Sequence, residues 1–410
     1  MKKGLLLSIV ASTVIFAGGD IAPVEPAAAA PAADCSDFYG QVGVYYQSEA
    51  KGDDSVFSDE ATNNLSATVV LGVEKEIFNG IGFGAQLNGW STLGLAPGGT
   101  LNEDGDGHID GARVNDDEGA ALVEMYATAS FGNTGIKLGR FALPIALSPY
   151  AWTDNTGGVK DKTFEGVMFA NTDLADTTVY GVYVKNMFAS ATNTRSALGK
   201  DDIGVFALGM VNKSVENTKI TAVGFYAPDI DAVDDGAQYA GYLTVNSKVG
   251  DYKVDFQAAY VDGDRVVAGE DADAKFAVAA RISGKIGMVG ASLAASYVND
   301  GGYALAPVGG AWWLYTANEV TGEELVAGTA TTGVLAKVSA KVGMGTLFGT
   351  LGYWSADDAA NTEMIGARIG YKFKVAGIST KIVYRYRNQT ADEAEDQERQ
   401  RVRIEGTYKF

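Results

Sequence analysis

The last quarter of the sequence carries basic side chains at alternating positions. In the segment RQRVRIEGTYKF, Arg399, Arg401 and Arg403 alternate with glutamine, valine and isoleucine. Because alternate side chains of a β-strand share one face, these arginines would form a row of fixed positive charge. Such a row steers and orients anions and performs no bond chemistry by itself. The complete set comprises Lys337, Lys341, Arg368, Lys372, Lys374, Lys381, Arg385, Arg387, Arg399, Arg401, Arg403 and Lys409.

Arg385, Arg387, Arg401 and Arg403 are the leading candidates for a functional cluster, because neighbouring antiparallel strands would place them at similar depth. Earlier segments contribute mainly acids to the same interior, namely Glu74, Glu76, Glu124, Glu165 and Asp255. A basic wall opposite acidic groups predicts a transverse field that orients dipolar solutes and focuses ions. The alternative is that each charge is a solvated side chain without a specific role.

The supply of catalytic residues is small. The chain has one histidine, His108, and one cysteine, Cys35, so few residues are available for catalysis by a nucleophile and a histidine. We therefore predict that the protein is not an enzyme. The 32 Lys and Arg against 51 Asp and Glu give a net charge of −19, which repels nucleic acid.

The segment LNEDGDGHIDGARVNDDEG, which we call loop 2, is strongly acidic. Asp104, Asp106 and Asp110 are its candidate ligands for a divalent cation such as Ca²⁺. However, Arg113 stands where the calcium-loop template requires a bidentate glutamate. A solvated acidic loop is therefore the favoured interpretation, and no other cofactor is predicted.

The elements that would position these charges follow a two-residue period. In LSATVVLGVEKEIF, the apolar set from Leu65 to Val73 lies on one face and the polar set from Ser66 to Glu76 on the other. This alternation is typical of a half-buried strand. Eighteen segments show it: 38–48, 65–78, 81–93, 120–131, 136–143, 163–171, 177–187, 203–212, 218–227, 237–248, 252–261, 275–285, 289–298, 329–342, 346–354, 362–375, 378–388 and 398–410.

The connections between these segments alternate strictly between short and long. Asn79-Gly80 and Ala376-Gly377 are tight turns, whereas 94–119 and 299–328 are long polar loops. This pattern predicts an all-β, transmembrane antiparallel β-barrel of about 18 strands, with short periplasmic turns and long extracellular loops. A secreted sandwich or propeller is disfavoured, because segments near 10 residues match a tilted membrane strand. The apolar outer faces would contact outer-membrane lipid and lipopolysaccharide.

The N-terminal region reads as an export signal. Residues 1–19 combine two lysines, an apolar stretch and small residues before a cleavage site, which is typical of a signal peptide. Residues 20–37 form a leader rich in proline and alanine, and the barrel occupies 38–410. These features predict a protein of the bacterial outer membrane.

Three stretches resemble known outer-membrane proteins. The ending IEGTYKF is similar to the signal that such proteins present to the barrel-assembly machinery. The stretch from Gly139 to Asn186 and the leader AGGDIAPVEP resemble OprD-like porins, notably the major outer-membrane porins of Campylobacter-related bacteria. The resemblance implies an eighteen-stranded diffusion channel, a homotrimer, and a third loop at 143–162 that folds inward as a constriction. Asp154 and Asp161 of this loop would then face the arginines.

Two functions are consistent with these observations. The first is a porin, a water-filled channel for passive diffusion of ions and small hydrophilic solutes. The alternative is a surface adhesin or structural barrel that acts through its extracellular loops, for example through Trp312 and Trp313. Eighteen strands leave an aqueous lumen unless it is plugged, and the 18-residue leader is too short to be a plug. The sequence therefore favours the porin.

Overall fold

The computed structural model describes residues 37–52, 54–57, 62–91, 119–144, 160, 162–190, 193–199, 203–228, 236–263, 266–267, 270–271, 274–299, 304–305, 310–311, 314–317, 330–357, 362–390 and 397–410. Within these ranges, no helix is long and apolar enough to cross a membrane.

The described residues form β-strands wherever apolar and polar side chains alternate. The strands are β1 Phe38–Lys51, β2 Thr62–Phe78, β3 Ile81–Ser91, β4 Gly119–Phe131, β5 Thr134–Phe141, β6 Lys162–Asn171, β7 Thr177–Ala189, β8 Thr194–Ala197, β9 Val205–Asn212, β10 Thr218–Ala227, β11 Gln238–Val249, β12 Tyr252–Gly263, β13 Val266–Val267, β14 Glu270–Asp271, β15 Lys275–Ile286, β16 Val289–Val298, β17 Ala304–Leu305, β18 Gly310–Ala311, β19 Ala330–Val342, β20 Gly345–Asp357, β21 Glu363–Val375, β22 Ile378–Thr390 and β23 Gln397–Lys409.

Eighteen of these strands close into an antiparallel barrel, with each wall strand paired to the next one along the chain. The ring closes where β1 pairs with β23, as in the partners Val44 and Gly406. β8 is an additional strand that pairs with the end of β7. The predicted fold class and all eighteen predicted segments are confirmed, with every strand end within three residues of its predicted position. The four two-residue strands and β8 were not predicted, because so short a segment shows no period.

The two rims of the barrel differ in their connections. At one rim the strands are joined by short turns, and at the other by long segments such as 92–118 and 299–329. Asn79 and Gly80 in the turn between β2 and β3 have φ values of 41° and 84°. A two-residue turn with positive φ at both positions matches the twist of the flanking strands, and asparagine and glycine adopt this conformation most readily.

The outer face of the wall is apolar. Leu293 and Ile369 are 53% and 54% exposed, whereas Ala294, which follows Leu293, is 3% exposed. The predicted alternation therefore has the correct phase on these strands. A continuous band of exposed apolar side chains without a covering layer is the surface that a barrel presents to lipid.

The inner face is divided between two kinds of surface. Buried side chains from strands β4 to β16 form an apolar cluster that includes Phe141, Phe164, Tyr180 and Val223. Strands β21 to β23 instead direct arginine and lysine inward. The apolar part was not predicted, because in a strand such as β7 (TTVYGVYVKNMFA) both faces are largely apolar and the alternation is weak.

Candidate functional site

The arginines of the last three strands lie side by side on the inner wall. Arg368 of β21 is directly opposite Arg385 of β22, which is directly opposite Arg401 of β23. Two residues further along β22, Arg387 is opposite Arg399 of β23. The pairing thus brings Arg385 and Arg401 to one level, as expected, but sets Arg403 opposite Val383, two residues from that level.

Three of these side chains are buried. Arg385, Arg387 and Arg403 are 1%, 2% and 3% exposed. Burial of a guanidinium is costly unless hydrogen bonds and countercharges compensate for the lost hydration. The neighbouring strand β1 supplies some of this compensation.

Strand β1 directs Glu49, Gln47 and Tyr45 into the lumen beside β23. Nε of Arg401 donates to Oε2 of Glu49 at 2.7 Å, and Nη2 lies 2.5 Å from the same oxygen. Arg403 donates to Oε1 of Gln47 from Nε at 3.2 Å and from Nη2 at 2.8 Å. In both contacts two nitrogens of one guanidinium share a single acceptor oxygen, which fixes its orientation more firmly than one hydrogen bond does.

Two lysines extend the basic surface below the arginines. Lys381 lies opposite Lys372 across the β21–β22 pair, and its Nζ is 3.4 Å from a carboxylate oxygen of Glu405. Arg368 and Lys372 both lie over the ring of Phe348, each 5.3 Å from its centroid. The electron-rich face of an aromatic ring attracts a cation, so Phe348 contributes to holding both.

Glu124 does not stand as an isolated acid facing the arginines. Its carboxylate accepts a hydrogen bond from the backbone N of Ala142 at 2.8 Å and another from Nζ of Lys160. Ala142 and Lys160 lie near the two ends of the segment 142–161 that connects β5 to β6. Glu124, which is 5% exposed, therefore joins both ends of the third loop to the wall at β4.

Glu165 is bound by two arginines. Arg140 donates to its Oε1 from Nε at 3.0 Å and from Nη2 at 2.7 Å. Nε of Arg195, a residue of β8, lies 2.5 Å from Oε2. Two guanidinium groups around one carboxylate give this cluster a net positive charge.

Asp255 is likewise paired with a cation. Arg281 donates to its Oδ2 from Nε at 2.9 Å and from Nη2 at 2.7 Å. Glu124, Glu165 and Asp255 are thus each neutralised by basic side chains, so these three positions do not amount to a wall of free negative charge. The strand period indicated which face they occupy, but it could not show which neighbours reach them.

Part of the seventh loop, 299–329, packs inside the barrel. The backbone N of Tyr315 donates to Oε1 of Gln257 at 2.7 Å, and its hydroxyl accepts from Asn246 at 3.0 Å. The hydroxyl of Thr316 lies 2.6 Å from that of Ser296. The sequence predicts a long extracellular loop here, and its turn 314–317 lies against the inner wall. The period within a strand does not predict such a contact.

Several predicted residues lie outside the described residues: Asp154 and Asp161 of the third loop, Asp104, Asp106 and Asp110 of loop 2, and Trp312 and Trp313. Among the residues that the structure describes, no group of three or more histidine, cysteine, aspartate or glutamate side chains could hold a metal ion. The predicted constriction residues and the Ca²⁺ candidates are not tested by this observation.

The fold is shared with solved structures of porins. Pseudomonas aeruginosa OccK9 (OpdG) is similar with a TM-score of 0.68 and 14% identity, over 91% of this chain and 99% of that chain. Acinetobacter baumannii OccAB1 is similar with a TM-score of 0.67 and 13% identity, over 91% of this chain and 97% of that chain. Pseudomonas aeruginosa OpdK, solved with vanillate, is similar with a TM-score of 0.66 and 13% identity, over 91% of this chain and 99% of that chain.

No family model matches the sequence, and no curated protein sequence matches it. Identities of 11 to 14% are too low to carry over residue roles, so these likenesses show the fold. Because the compared structures are from Pseudomonas and Acinetobacter, they do not test the resemblance to porins of Campylobacter-related bacteria.

Proposed function

We propose that the protein is an outer-membrane porin that lets ions and small hydrophilic solutes diffuse passively, with a preference for anions. The observation that carries the proposal is the row formed by Arg368, Arg385 and Arg401 on the inner wall of a closed eighteen-stranded barrel. A barrel of this strand number encloses a lumen wide enough for water. Fixed cations along its wall raise the local concentration of anions.

Carboxylates are the solute class that fits this wall best. Guanidinium groups bind carboxylates through paired, charge-assisted hydrogen bonds. One of the structurally similar porins, OpdK, was solved with vanillate, which is a carboxylate. The neutralisation of Glu124, Glu165 and Asp255 by neighbouring cations also removes much of the negative charge that would oppose anion entry.

The partners inferred from the sequence belong to this proposal. The apolar outer face would contact outer-membrane lipid and lipopolysaccharide, and the last strand would present the signal for the barrel-assembly machinery. Directly after that strand, Phe410 exchanges backbone hydrogen bonds with Gly40 of β1 at 2.9 and 3.0 Å, which continues the pairing of β1 with β23. Assembly as a homotrimer is carried over from the resemblance alone.

The test is a reversal-potential measurement on purified protein in a planar bilayer under a KCl gradient. We expect ion-conducting channels whose reversal potential shows chloride favoured over potassium. A barrel that inserts but conducts no ions would refute the porin and leave the adhesin as the better interpretation. Channels that conduct potassium better than chloride would support the porin function but refute the proposed preference for anions.

A further inference from the structure

Four strands that run towards the short turns end in nearly the same sequence. The segments are KVGD at 248–251, KIGM at 285–288, KVGM at 341–344 and KVAG at 374–377. In each segment the lysine is the second-last residue of its strand, and the last two residues form the turn. The strands are β11, β15, β19 and β21, so the repeat places a lysine beside each of the last four short turns of the barrel.

These four lysines lie on the inner face of the wall. Each is followed by an exposed apolar residue of the outer face, namely Val249, Ile286, Val342 and Val375. Because side chains of a strand alternate between faces, the lysines share their face with luminal residues such as Arg281 on β15 and Arg368 on β21. All four lysines are exposed, so they contact the water that fills this mouth of the barrel.

A fifth lysine joins them across the β11–β12 hairpin. Lys253 is the direct partner of Lys248, and it lies on the inner face two residues before the buried Asp255. Like charges directly opposite each other on neighbouring strands are destabilising. An anion between the two ammonium groups would offset this repulsion. We call Lys248, Lys253, Lys285, Lys341 and Lys374 the collar.

The collar is not neutralised by acidic side chains. Every ion pair among the described residues involves other cations, so no collar lysine takes part in one. Asp251 is the only acid within the four repeated segments, and it forms no ion pair with Lys248 or Lys253 in the structure. Five lysines and one aspartate give this side of the mouth a net positive charge.

The collar is separate from the arginine row. Lys374 lies six residues beyond Arg368 on β21, which corresponds to about 20 Å along the strand. Salt at about 0.1 M screens a charge over about half this distance. A lysine ammonium is compact and strongly hydrated, and it lacks the fork through which a guanidinium forms two bonds to a carboxylate. It therefore attracts anions without holding them tightly, as a mouth that solutes must leave requires.

We propose that the collar collects small anions at the short-turn mouth, which the sequence predicts to face the periplasm. It thereby sets the rate at which anions pass between the arginine row and that compartment. The inward direction of the lysines favours dissolved anions over the headgroups of the surrounding lipid. The inference rests on the proposed porin function and adds to it a charged mouth on one side of the barrel.

The test compares single-channel currents of the wild type with those of a variant in which all five collar lysines are replaced with Gln. Chloride that enters through the collar starts from an enriched concentration, whereas chloride that enters through the other mouth does not. One unit charge about 7 Å from an ion in water changes its local concentration by about two- to threefold before screening.

In about 0.1 M KCl, we therefore expect the variant to lose about half of the current in one polarity and much less in the other. In about 1 M KCl, where salt screens charges over about 3 Å, the two proteins should conduct alike. Assembly of each variant is checked by heat-modifiable migration on a gel.

Lys75→Gln is the matched control for Lys253→Gln. Lys75 lies at the same rim but on the outer face, where Phe83 is its direct partner and Asp37 binds it at 2.6 Å. Both substitutions remove one positive charge from the rim. We expect a loss of current in one polarity from Lys253→Gln and wild-type currents from Lys75→Gln.

The outcomes separate this inference from the proposed function. Wild-type channels whose currents are unchanged in the five-lysine variant would overturn the inference, and so would equal losses in both polarities or equal effects of Lys75→Gln and Lys253→Gln. If the five-lysine variant fails to assemble, Lys248→Gln combined with Lys253→Gln decides the question, because it removes a pair of like charges. A wild type that passes no ions would instead overturn the porin proposal itself.

Discussion

Tyr315 and Arg281 stack on each other inside the barrel, with Cζ of Arg281 4.3 Å from the centroid of the tyrosine ring. Arg281 also binds Asp255, and the hydroxyl of Tyr315 accepts from Asn246, which itself donates to Asp255 at 2.9 Å. The backbone N of Tyr315 also donates to Gln257, so this residue of a long connecting loop contacts three side chains of the wall, each in a different way.

The first prediction concerns the volume that this turn occupies. Tyr315→Ala removes the stacking and the hydroxyl contact, so the turn 314–317 should be held less firmly on the inner wall, although its contacts with Gln257 and Ser296 remain. We expect a larger single-channel conductance in planar bilayers with an unchanged barrel. Tyr353→Ala, on the outward face, is the control and should conduct as the wild type does. Equal conductance in all three proteins would contradict a luminal role for the turn.

A second prediction concerns the carboxylate of Glu124. Removing one partner of a buried ion pair leaves the other charge without compensation, which costs about 3 to 5 kcal/mol. Glu124→Gln and Lys160→Met should each lower the free energy of unfolding, measured by denaturant unfolding in detergent. The double variant should lose less than the sum of the two, because it leaves no isolated charge. Strictly additive losses in the free energy of unfolding would show that the contact of Lys160 with Glu124 does not stabilise the folded protein.

The strand period was sufficient to predict the wall but not the contacts across it. Leu293 and Ile369 could be assigned to the lipid face, because a two-residue period allows only two phases. The partners of the luminal charges could not be assigned, because a period within one strand contains no information on register with another. Gln47 and Arg403 are 356 residues apart in the chain and meet only when the ring closes.

Loops limited the prediction further. Lys160 and Arg195 lie outside the predicted strands, and nothing in their local sequence indicates that they reach Glu124 and Glu165. A count of strand residues alone leaves out their positive charge, although Arg140 and Arg281, the other partners of these acids, lie within predicted strands. An excess of acids over bases in a strand does not establish the sign of the local potential, because loop residues also enter the lumen.

The third prediction tests the two faces of the wall. Leu293→Arg places a cation on the lipid face near the middle of β16, at a cost of about 2 to 4 kcal/mol. Ser292→Arg places the same side chain in the lumen, where Lys337 is its direct neighbour on β19. Ala294 is a poorer control, because it is 3% exposed and has little room. We expect heat-modifiable folded protein from Ser292→Arg and much less from Leu293→Arg; the reverse result would mean that the faces are exchanged.

A fourth prediction concerns pH at the rim with short turns. Hydrogen bonds from Asn171 and Asn133 to the carboxylate of Asp173 hold its pKa below the usual aspartate value. These bonds stabilise the folded state above the pKa of the unfolded chain, and the contribution is lost as the pH falls through the lower pKa of the folded state. We expect Asn171→Ala to raise the pKa of Asp173 in a carboxyl NMR titration. An unaltered titration would show that the turn contacts do not act on this carboxylate.

The last prediction concerns the arginines themselves. Replacing Arg385, Arg387, Arg401 and Arg403 together with Gln removes four positive charges and keeps polar side chains in the wall. The contacts of Arg401 with Glu49 and of Arg403 with Gln47 are lost at the same time, whereas Arg399 remains 3.9 Å from Glu49. We expect channels that still conduct but whose permeability ratio shifts towards cations. Because salt screens charges over about 10 Å at 0.1 M, the shift should be largest in dilute KCl.

The competing interpretation assigns ion preference to the acids of loop 2 and gives the arginines no part in it. It predicts no change in the quadruple variant and a large change when Asp104, Asp106 and Asp110 are replaced with Asn. Measuring both variants under one salt gradient separates the two interpretations, because each predicts a shift where the other predicts none. An unchanged reversal potential in the quadruple variant at low salt would exclude the arginine row as the origin of selectivity, although the barrel could still be a porin.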